Sequence, residues 1–337
     1  MNCVLLSAIC EIPITGGKIC PVDEISCGSI YTEDFSETKG SFRAVSAPAH
    51  QADAAWQILC VPAIDRLRKV DGELRLIASF FDQPPSYPWF MAEHLKKVVI
   101  VTGGSRGIGA ATSKLLASQG YRVGVNFRSR VSSAETVVAA IEAAGGKAFA
   151  CEADVSIEGE VASLFDAVEK ALGPVTHLVN NAGRLFPQSR LVDIDAARFN
   201  EVLTNNVTSC FLCSREFVRR VKTSGAIVNV SSVAARTGSP FEYTDYAASK
   251  GAMDTLTKGL SLELAEQGIR VNAVRPGFIY TDMHADGGEP GRVDRLASQI
   301  PLQRGGTPEE VARAIAWLLS DEASYVTGSF TNLAGGK

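Results

Sequence analysis

No apolar run in these 337 residues approaches the ~18–20 residues that a membrane-spanning helix requires. Basic residues are not in excess: 33 Lys and Arg face 37 Asp and Glu, for a net charge of −4. That balance argues against non-specific binding to nucleic acid or to an anionic membrane, both of which need a basic surface. The start, Met1-Asn2-Cys3-Val4-Leu5-Leu6, lacks a positive n-region and meets Glu11 early, so no secretory signal is expected and the expectation is a cytoplasmic protein. No cluster with metal-ligand spacing is found. What is present is a chain 46% hydrophobic and 21% charged, able to bury a core and not disordered as a whole.

The two parts of the chain differ. Residues 1–90 hold five of the eight cysteines and seven of the fourteen prolines, with seven basic against eleven acidic residues. Residues 91–337 carry 26 of each sign. Periodicity in the first part is poor: only Ala54–Val70 reads as helical, and Pro62 interrupts it. The stretch Pro84-Pro85-Ser86-Tyr87-Pro88 reads as a linker. A disulfide module would need an oxidising compartment. A zinc module would need a Cys-x-x-Cys pair, and the spacings here are 7, 10 and 7. The favoured reading of 1–90 is a poorly ordered N-terminal extension, or sequence upstream of a native start near Met91, with no function of its own.

The second part alternates strand and helix patterns. Strands are expected at Lys97–Thr102, Tyr121–Phe127, Ala148–Ala153, His177–Asn181, Ala226–Ser231, Arg270–Arg275 and Ser329–Leu333. Helices are expected at Ile108–Gln119, up to Ala144, and over Glu158–Leu172, Ala196–Val221 and Tyr246–Gln267. Ser132 with Glu135, and Thr307-Pro308-Glu309-Glu310, carry capping-box signatures. Strict alternation implies an α/β fold, a doubly wound parallel sheet with helices on both faces and ligands bound at the strands' carboxyl ends.

At the first strand-to-helix junction stands Thr102-Gly103-Gly104-Ser105-Arg106-Gly107-Ile108-Gly109. Glycines allow a tight turn and close backbone approach to a pyrophosphate, and the helix N-terminus offers free N–H groups. The second strand ends Val125-Asn126-Phe127-Arg128-Ser129-Arg130, without the acidic residue that would bind a ribose 2′-hydroxyl in an NAD site. Arg106 and Arg128 suit a 2′-phosphate, which predicts NADP(H). Ser129 adds a hydroxyl donor, and Arg130 is left open. Asp154, followed by Val155, is a candidate acceptor for the adenine amino group. Asn180-Asn181-Ala182-Gly183 ends the fourth strand with small residues beside the cofactor.

Ser231-Ser232 ends the fifth strand, and Tyr246-Ala247-Ala248-Ser249-Lys250 opens the next helix. Spacing i, i+4 sets Tyr246 and Lys250 on one helix face. A phenol of pKa ~10 is a poor base at neutral pH, and a nearby ammonium favours its phenolate. Tyr246 so tuned acts as acid in reduction and base in oxidation. Tyr243 lacks such a partner, since Ala247 stands four residues on.

Together these residues resemble the short-chain dehydrogenase/reductase family, from about Lys97 to Gly336. The resemblance rests on Thr102–Gly109, Asn-Asn-Ala-Gly at 180–183, Ser232, Tyr246/Lys250 and Pro276-Gly277. It implies a Rossmann-type fold with seven parallel strands and a tetrad of Asn206, Ser232, Tyr246 and Lys250. Asn206 would kink its helix and hold a water that links Lys250 to solvent, and Lys250 would also bind the nicotinamide ribose. Pro276, Gly277, Ile279 and Thr281 would lie beside the carboxamide. By general look the chain is similar to 3-oxoacyl-carrier-protein reductases and glucose-dehydrogenase-like sugar oxidoreductases. Two departures stand out: a stretch between Ser232 and Tyr246 one residue longer than in many members, and Asn332 where Asp is frequent. The family implies a homotetramer or homodimer.

Met283–Ile300 is expected to form a mobile lid that chooses the substrate. Within it Arg292 and Arg295 read as solvated helix charges rather than anion ligands, and His284 as a minor candidate for substrate contact. Cys210 and Cys213 read as packed core or interface, and His177 as structural. The resulting expectation is an NADP(H)-dependent carbonyl reductase or alcohol dehydrogenase acting on a small molecule. The competitors are an NAD-preferring sugar or polyol dehydrogenase with the same tetrad and a non-catalytic dinucleotide-sensing module.

Overall fold

The computed structural model describes residues 97–337, together with the backbone of short strands in the preceding segment. By contacts the chain divides into Met1–Ala92 and Glu93–Lys337. In the first unit Leu5–Ala8 pairs with Ile30–Glu33, Ile14–Thr15 with Lys18–Ile19, and Leu67–Val70 with Glu73–Leu76, all antiparallel. The last pair corrects the helical reading of Ala54–Val70 at its end: Leu67–Val70 is a strand. The rest of that reading, the proline-rich linker, the cysteines before residue 97 and the poorly ordered extension all lie outside the described residues.

The second unit is built on seven parallel strands. They are β1 (Val98–Val101), β2 (Arg122–Phe127), β3 (Lys147–Glu152), β4 (His177–Asn180), β5 (Gly225–Val230), β6 (Ile269–Pro276) and β7 (Phe330–Leu333). The sheet order is β7-β6-β5-β4-β1-β2-β3, and every neighbouring pair is parallel. The order reverses between β1 and β4, and that reversal opens a crevice at the carboxyl ends of the strands. Central strands are buried on both faces: β1 is apolar without alternation, and β4 is buried throughout with His177 and Asn180 as its polar ends. One core layer joins Val99, Val123, Val228 and Ile315; the other joins Ile100, Phe165, Leu178, Phe217 and Ile227.

The helices are α1 (Gly107–Ser118), α2 (Val131–Ala143), α3 (Glu158–Leu172), α4 (Ala196–Leu203), α5 (Ser209–Arg220), α6 (Ala234–Thr237), α7 (Thr244–Glu263), α8 (Met283–Asp286), α9 (Arg292–Leu296) and α10 (Pro308–Leu319). The capping box at Thr307 and Glu310 forms as its signature predicts. The one expected at Ser132 and Glu135 does not. α2 begins at Val131, so Ser132 lies inside the first turn, where its carbonyl accepts from Thr136. The single helix expected over Ala196–Val221 is two helices joined by a π turn at Thr204–Thr208, and Asn206 is buried in that turn. The helix expected over Tyr246–Gln267 starts two residues earlier and gives way after Glu263 to a 3-10 turn at Ala265–Gln267.

Candidate active site

The cleft at the strand-order reversal has a volume of about 490 Å³. Its floor is the glycine turn. Gly103 (φ 60°) and Gly107 (φ 49°) adopt left-handed backbone that side chains disfavour. A Cβ on Gly109 would fall 2.2 Å from the Gly103 carbonyl oxygen and 2.6 Å from Asn181 Nδ2, so only glycine lets α1 start this close to the end of β4. Neighbouring side chains brace the turn. Asn126 Oδ1 accepts from Gly103 N at 3.2 Å, and Asn181 Nδ2 donates to the Thr102 and Gly103 carbonyls at 2.9 and 3.0 Å. Thr102 Oγ1 accepts from Asn181 N and Ala182 N at 3.0 and 2.9 Å. Thr102 opens the glycine pattern and Asn126 lies near the end of β2, but neither bracing role is readable from sequence, since the backbone groups they bond lie more than 20 residues away.

Of the residues expected around a dinucleotide, Gly103, Ser105, Arg106, Gly107, Ile108, Arg128, Ser129, Asp154, Val155, Asn181, Ala182, Gly183 and Thr281 line the cleft, and so does Arg130. Gly109, Tyr246, Lys250, Pro276, Gly277 and Ile279 do not. Gly109 shapes the turn from behind, and the Ile279 side chain is buried while its backbone bridges to Gly306. Arg128 donates to Asn205 Oδ1 at 3.1 Å and lies 3.7 Å from Asp154. Burial works against the Asp154 carboxylate, but hydrogen bonds from Ser156 and the Arg128 charge outweigh it and keep its pKa below the usual value. Arg106 meets Asp286 at 2.5 Å, and Arg130 lies 3.7 Å from the same carboxylate. Asp286 carries no local sequence signal, because its partners are more than 150 residues away along the chain.

Beside Gly183 stand Asn206 and Lys250, and beyond Lys250 lie Tyr246 and Ser232. A Cβ on Gly183 would lie 3.2 Å from Asn206 Oδ1 and 3.6 Å from Lys250 Nζ. Asn206 Oδ1 accepts from Arg184 N at 2.7 Å, and its Nδ2 donates to the Arg184 carbonyl at 3.1 Å and to Ser249 Oγ at 3.0 Å. The Ser232 hydroxyl accepts from Ala234 N at 3.1 Å and lies beside the Tyr246 phenol. Burial pushes that phenol up to about 12, and the Ser232 hydrogen bond opposes the rise. Burial pulls Lys250 down to about 8, while Cys210 and Asp254 act to raise it. Lys250 Nζ donates to the Val230 carbonyl at 2.8 Å and stands 5.5 Å from the Tyr246 ring centre. Lys250 does not lower the Tyr246 phenol in this geometry: its Nζ is held on the Val230 carbonyl, and burial lowers its own pKa.

The lid segment departs from the sequence reading. Arg292 is only 4% exposed rather than solvated, bonded to both Glu242 and Glu289, with its guanidinium 5.1 Å from the Tyr243 ring centre and 5.5 Å from that of Phe278. Arg295 completes the group on Glu289, and Gln188 donates to Glu289 at 2.6 Å. The Arg295 and Arg292 partners hold the Glu289 carboxyl at about 2. Thus one ion cluster ties the lid to the loop after β4 and to the loop before α7. That second loop, the stretch read as one residue longer, holds Ser239 (φ 40°) and Phe241 (φ 70°) in left-handed backbone. His177 is buried and neutral, held down to about 3 chiefly by burial. Cys210 and Cys213 are free, buried thiols with raised pKa values, as packed core residues are. Among the described residues no group of His, Cys, Asp and Glu is arranged to hold a metal ion, and no helix is long and apolar enough to cross a membrane.

A parallel sheet in this order, a glycine turn at its reversal point, and a set of Ser, Tyr, Lys and Asn define a class of dinucleotide-dependent enzyme. Residues 103–337 match the family model described as enoyl-(acyl carrier protein) reductase. The chain belongs to the short-chain dehydrogenase/reductase family of oxidoreductases. It is similar to the uncharacterized oxidoreductase YgfF of Escherichia coli K12, 62% identical over 245 residues that cover 71% of this chain and 99% of that protein. It is also similar to the 3-oxoacyl-(acyl-carrier-protein) reductase FabG of Staphylococcus aureus N315, 37% identical over 72% of this chain and 98% of that one. Among solved structures, a short-chain dehydrogenase from Burkholderia cenocepacia J2315 in complex with NADP is 35% identical, with a TM-score of 0.67, over 71% of this chain and 97% of that one.

Proposed function

We propose that residues 91–337 form a single catalytic domain that moves a hydride between NADP(H) and a small carbonyl or secondary-alcohol substrate. The observation that carries this reading is a cleft lined by Arg106, Arg128, Arg130 and Gly183, with Asn206 and Lys250 packed against Gly183 and the Tyr246 phenol bonded to Ser232 nearby. The residues fit the cofactor: the Gly109 position admits no Cβ, and Arg106 Nη1 is buried with no protein partner, a donor awaiting an anion. Arg106 and Arg128 would hold the 2′-phosphate, Asp154 and Val155 the adenine, and Asn181, Ala182 and Gly183 the backbone of the dinucleotide. Pro276, Gly277, Ile279 and Thr281 would border the carboxamide. When bound, the nicotinamide supplies or accepts the hydride at its C4.

Ser232 would hold the substrate oxygen and Tyr246 would exchange its proton. With its pKa near 12, the Tyr246 phenol is protonated at neutral pH and ready to donate, which suits reduction. To act as a base in oxidation it needs positive charge beside it. Lys250, held on the Val230 carbonyl with its Nζ near Gly183, would supply that charge. Asn206, fixed by three hydrogen bonds in the π turn, would hold the proton path to Lys250 open.

One observation favours an NAD-preferring sugar or polyol dehydrogenase instead: Asp286 already pairs with Arg106 and lies 3.7 Å from Arg130. The decisive measurement is kcat/KM for NADPH and for NADH across a panel of aldehydes, ketones and 3-oxoacyl thioesters. A ratio above about ten is expected; a ratio below one sinks the cofactor assignment. A complete absence of turnover with every carbonyl and alcohol would favour a dinucleotide-sensing module.

A further inference from the structure

The outer end of the cleft is occupied by the protein's own carboxylate. Asp286, the last residue of α8, directs one oxygen to Arg106 Nη2 at 2.5 Å and the other toward Arg130 Nη2 at 3.7 Å. Two arginines on two oxygens of one anion is the arrangement a phosphate monoester would adopt with them. The fit is incomplete, since Arg106 Nη1 remains buried and unpartnered. Arg128, the third arginine, rests on the neutral Asn205 amide and more distantly on Asp154. Asp286 belongs to the lid, whose other end is fastened by Glu289, Arg292 and Glu242.

We propose that Asp286 is a specificity-determining residue of the cofactor site, a tethered anion on Arg106 and Arg130 that a dinucleotide 2′-phosphate must displace and that a dinucleotide with a free 2′-hydroxyl leaves in place. The inference rests on the NADP(H) reading above. A carboxylate and a phosphate dianion cannot share the Arg106 guanidinium without strong like-charge repulsion. Entry of the phosphate therefore lifts α8 from the glycine turn, whereas the unphosphorylated dinucleotide binds beneath a lid still pinned there. Asp286 weakens the binding of NADPH, and of NADPH alone, and so brings the two dinucleotides closer in affinity than the arginines by themselves would.

The test is calorimetric titration of the full chain with NADPH and NADH, for the wild type, Asp286→Asn, Arg106→Ala and the double variant. Asp286→Asn is expected to tighten NADPH about fivefold to tenfold, as befits a partly exposed ion pair, and to leave NADH within twofold. In the Arg106→Ala background the same substitution should change NADPH affinity by less than twofold, because the coupling passes through Arg106. Should the Asn variant fail to fold, Asp286→Ala is measured in the same scheme. If the wild type prefers NADPH through Arg106 and yet Asp286→Asn leaves that affinity within twofold, the Asp286 proposal falls and the cofactor reading stands. If Asp286→Asn tightens both dinucleotides equally, the effect is general charge and the proposal is overturned. If the wild type prefers NADH and Arg106→Ala does not weaken NADPH, the cofactor reading fails and this proposal with it.

Discussion

Around the glycine turn the geometry is set by main chain. Left-handed glycines at 103 and 107, a Cβ-free Gly109 and side-chain amides bonded to backbone hold the loop between β1 and α1. Across the cleft, the lid is held by charge: Asp286 on Arg106, and Glu289, Arg292, Arg295 and Glu242 on one another. A backbone-defined site has one shape and tolerates no added atom. A charge-defined strap can open when another ion competes for its members. Where the two regions meet, the chemical groups depend on both, since Tyr246 follows the strap's anchor at Glu242 by four residues and Lys250, one helical turn on, packs near Gly183.

The comparison is tested most severely at the point where both sides converge. Tyr246→Phe should lower kcat by about 10³-fold and leave dinucleotide affinity within about twofold, read by steady-state kinetics beside calorimetry. Retained turnover would show that the proton comes from elsewhere. On the backbone side, Gly109→Ala forces a methyl onto the Gly103 carbonyl oxygen, which cannot yield as a flexible side chain does. Overpacking of this kind costs about 1–3 kcal/mol or more, so thermal unfolding should move down by several degrees and both dinucleotides should bind at least tenfold more weakly. Equal affinity in the variant would mean that the turn is plastic.

On the charge side, Arg292→Met keeps the bulk between Tyr243 and Phe278 but removes the link between Glu242 and Glu289. Substrate KM is expected to rise about fivefold to tenfold with dinucleotide affinity unchanged, and a fall in dinucleotide affinity instead would show that the strap also supports the cofactor end. The smallest effect concerns neither region. His177 is neutral in the folded chain, with its pKa lowered to about 3 from 6.5, so below pH 6.5 the unfolded chain binds the extra proton and stability drops as pH falls. Between pH 7 and pH 6 the loss is roughly 0.7 kcal/mol, visible in urea titrations and absent in His177→Asn.

Strand and helix order was readable in residues because each signal is local. Val98–Val101 is an apolar run of strand length, Thr307 with Glu310 is a cap three residues wide, and Tyr246 with Lys250 is one helical turn. The misreadings share a cause as well. Ser132 and Glu135 have the right spacing for a capping box, but Val131 is already helical, and nothing in four residues announces which turn comes first. Arg292 reads as a surface charge because its partners at Glu242 and Tyr243 are fifty residues away.

The order of residues alone determined the alternating elements, the glycine-only turn and the Tyr246/Lys250 pair, since torsional freedom and helical spacing act within a few residues. Only the folded chain decided which arginines are already paired, that Lys250 rests on the Val230 carbonyl, and that Asp286 covers the anion end of the cleft. Electrostatic partners and desolvation are set by distance in space, and a parallel sheet brings together charges that the chain keeps far apart.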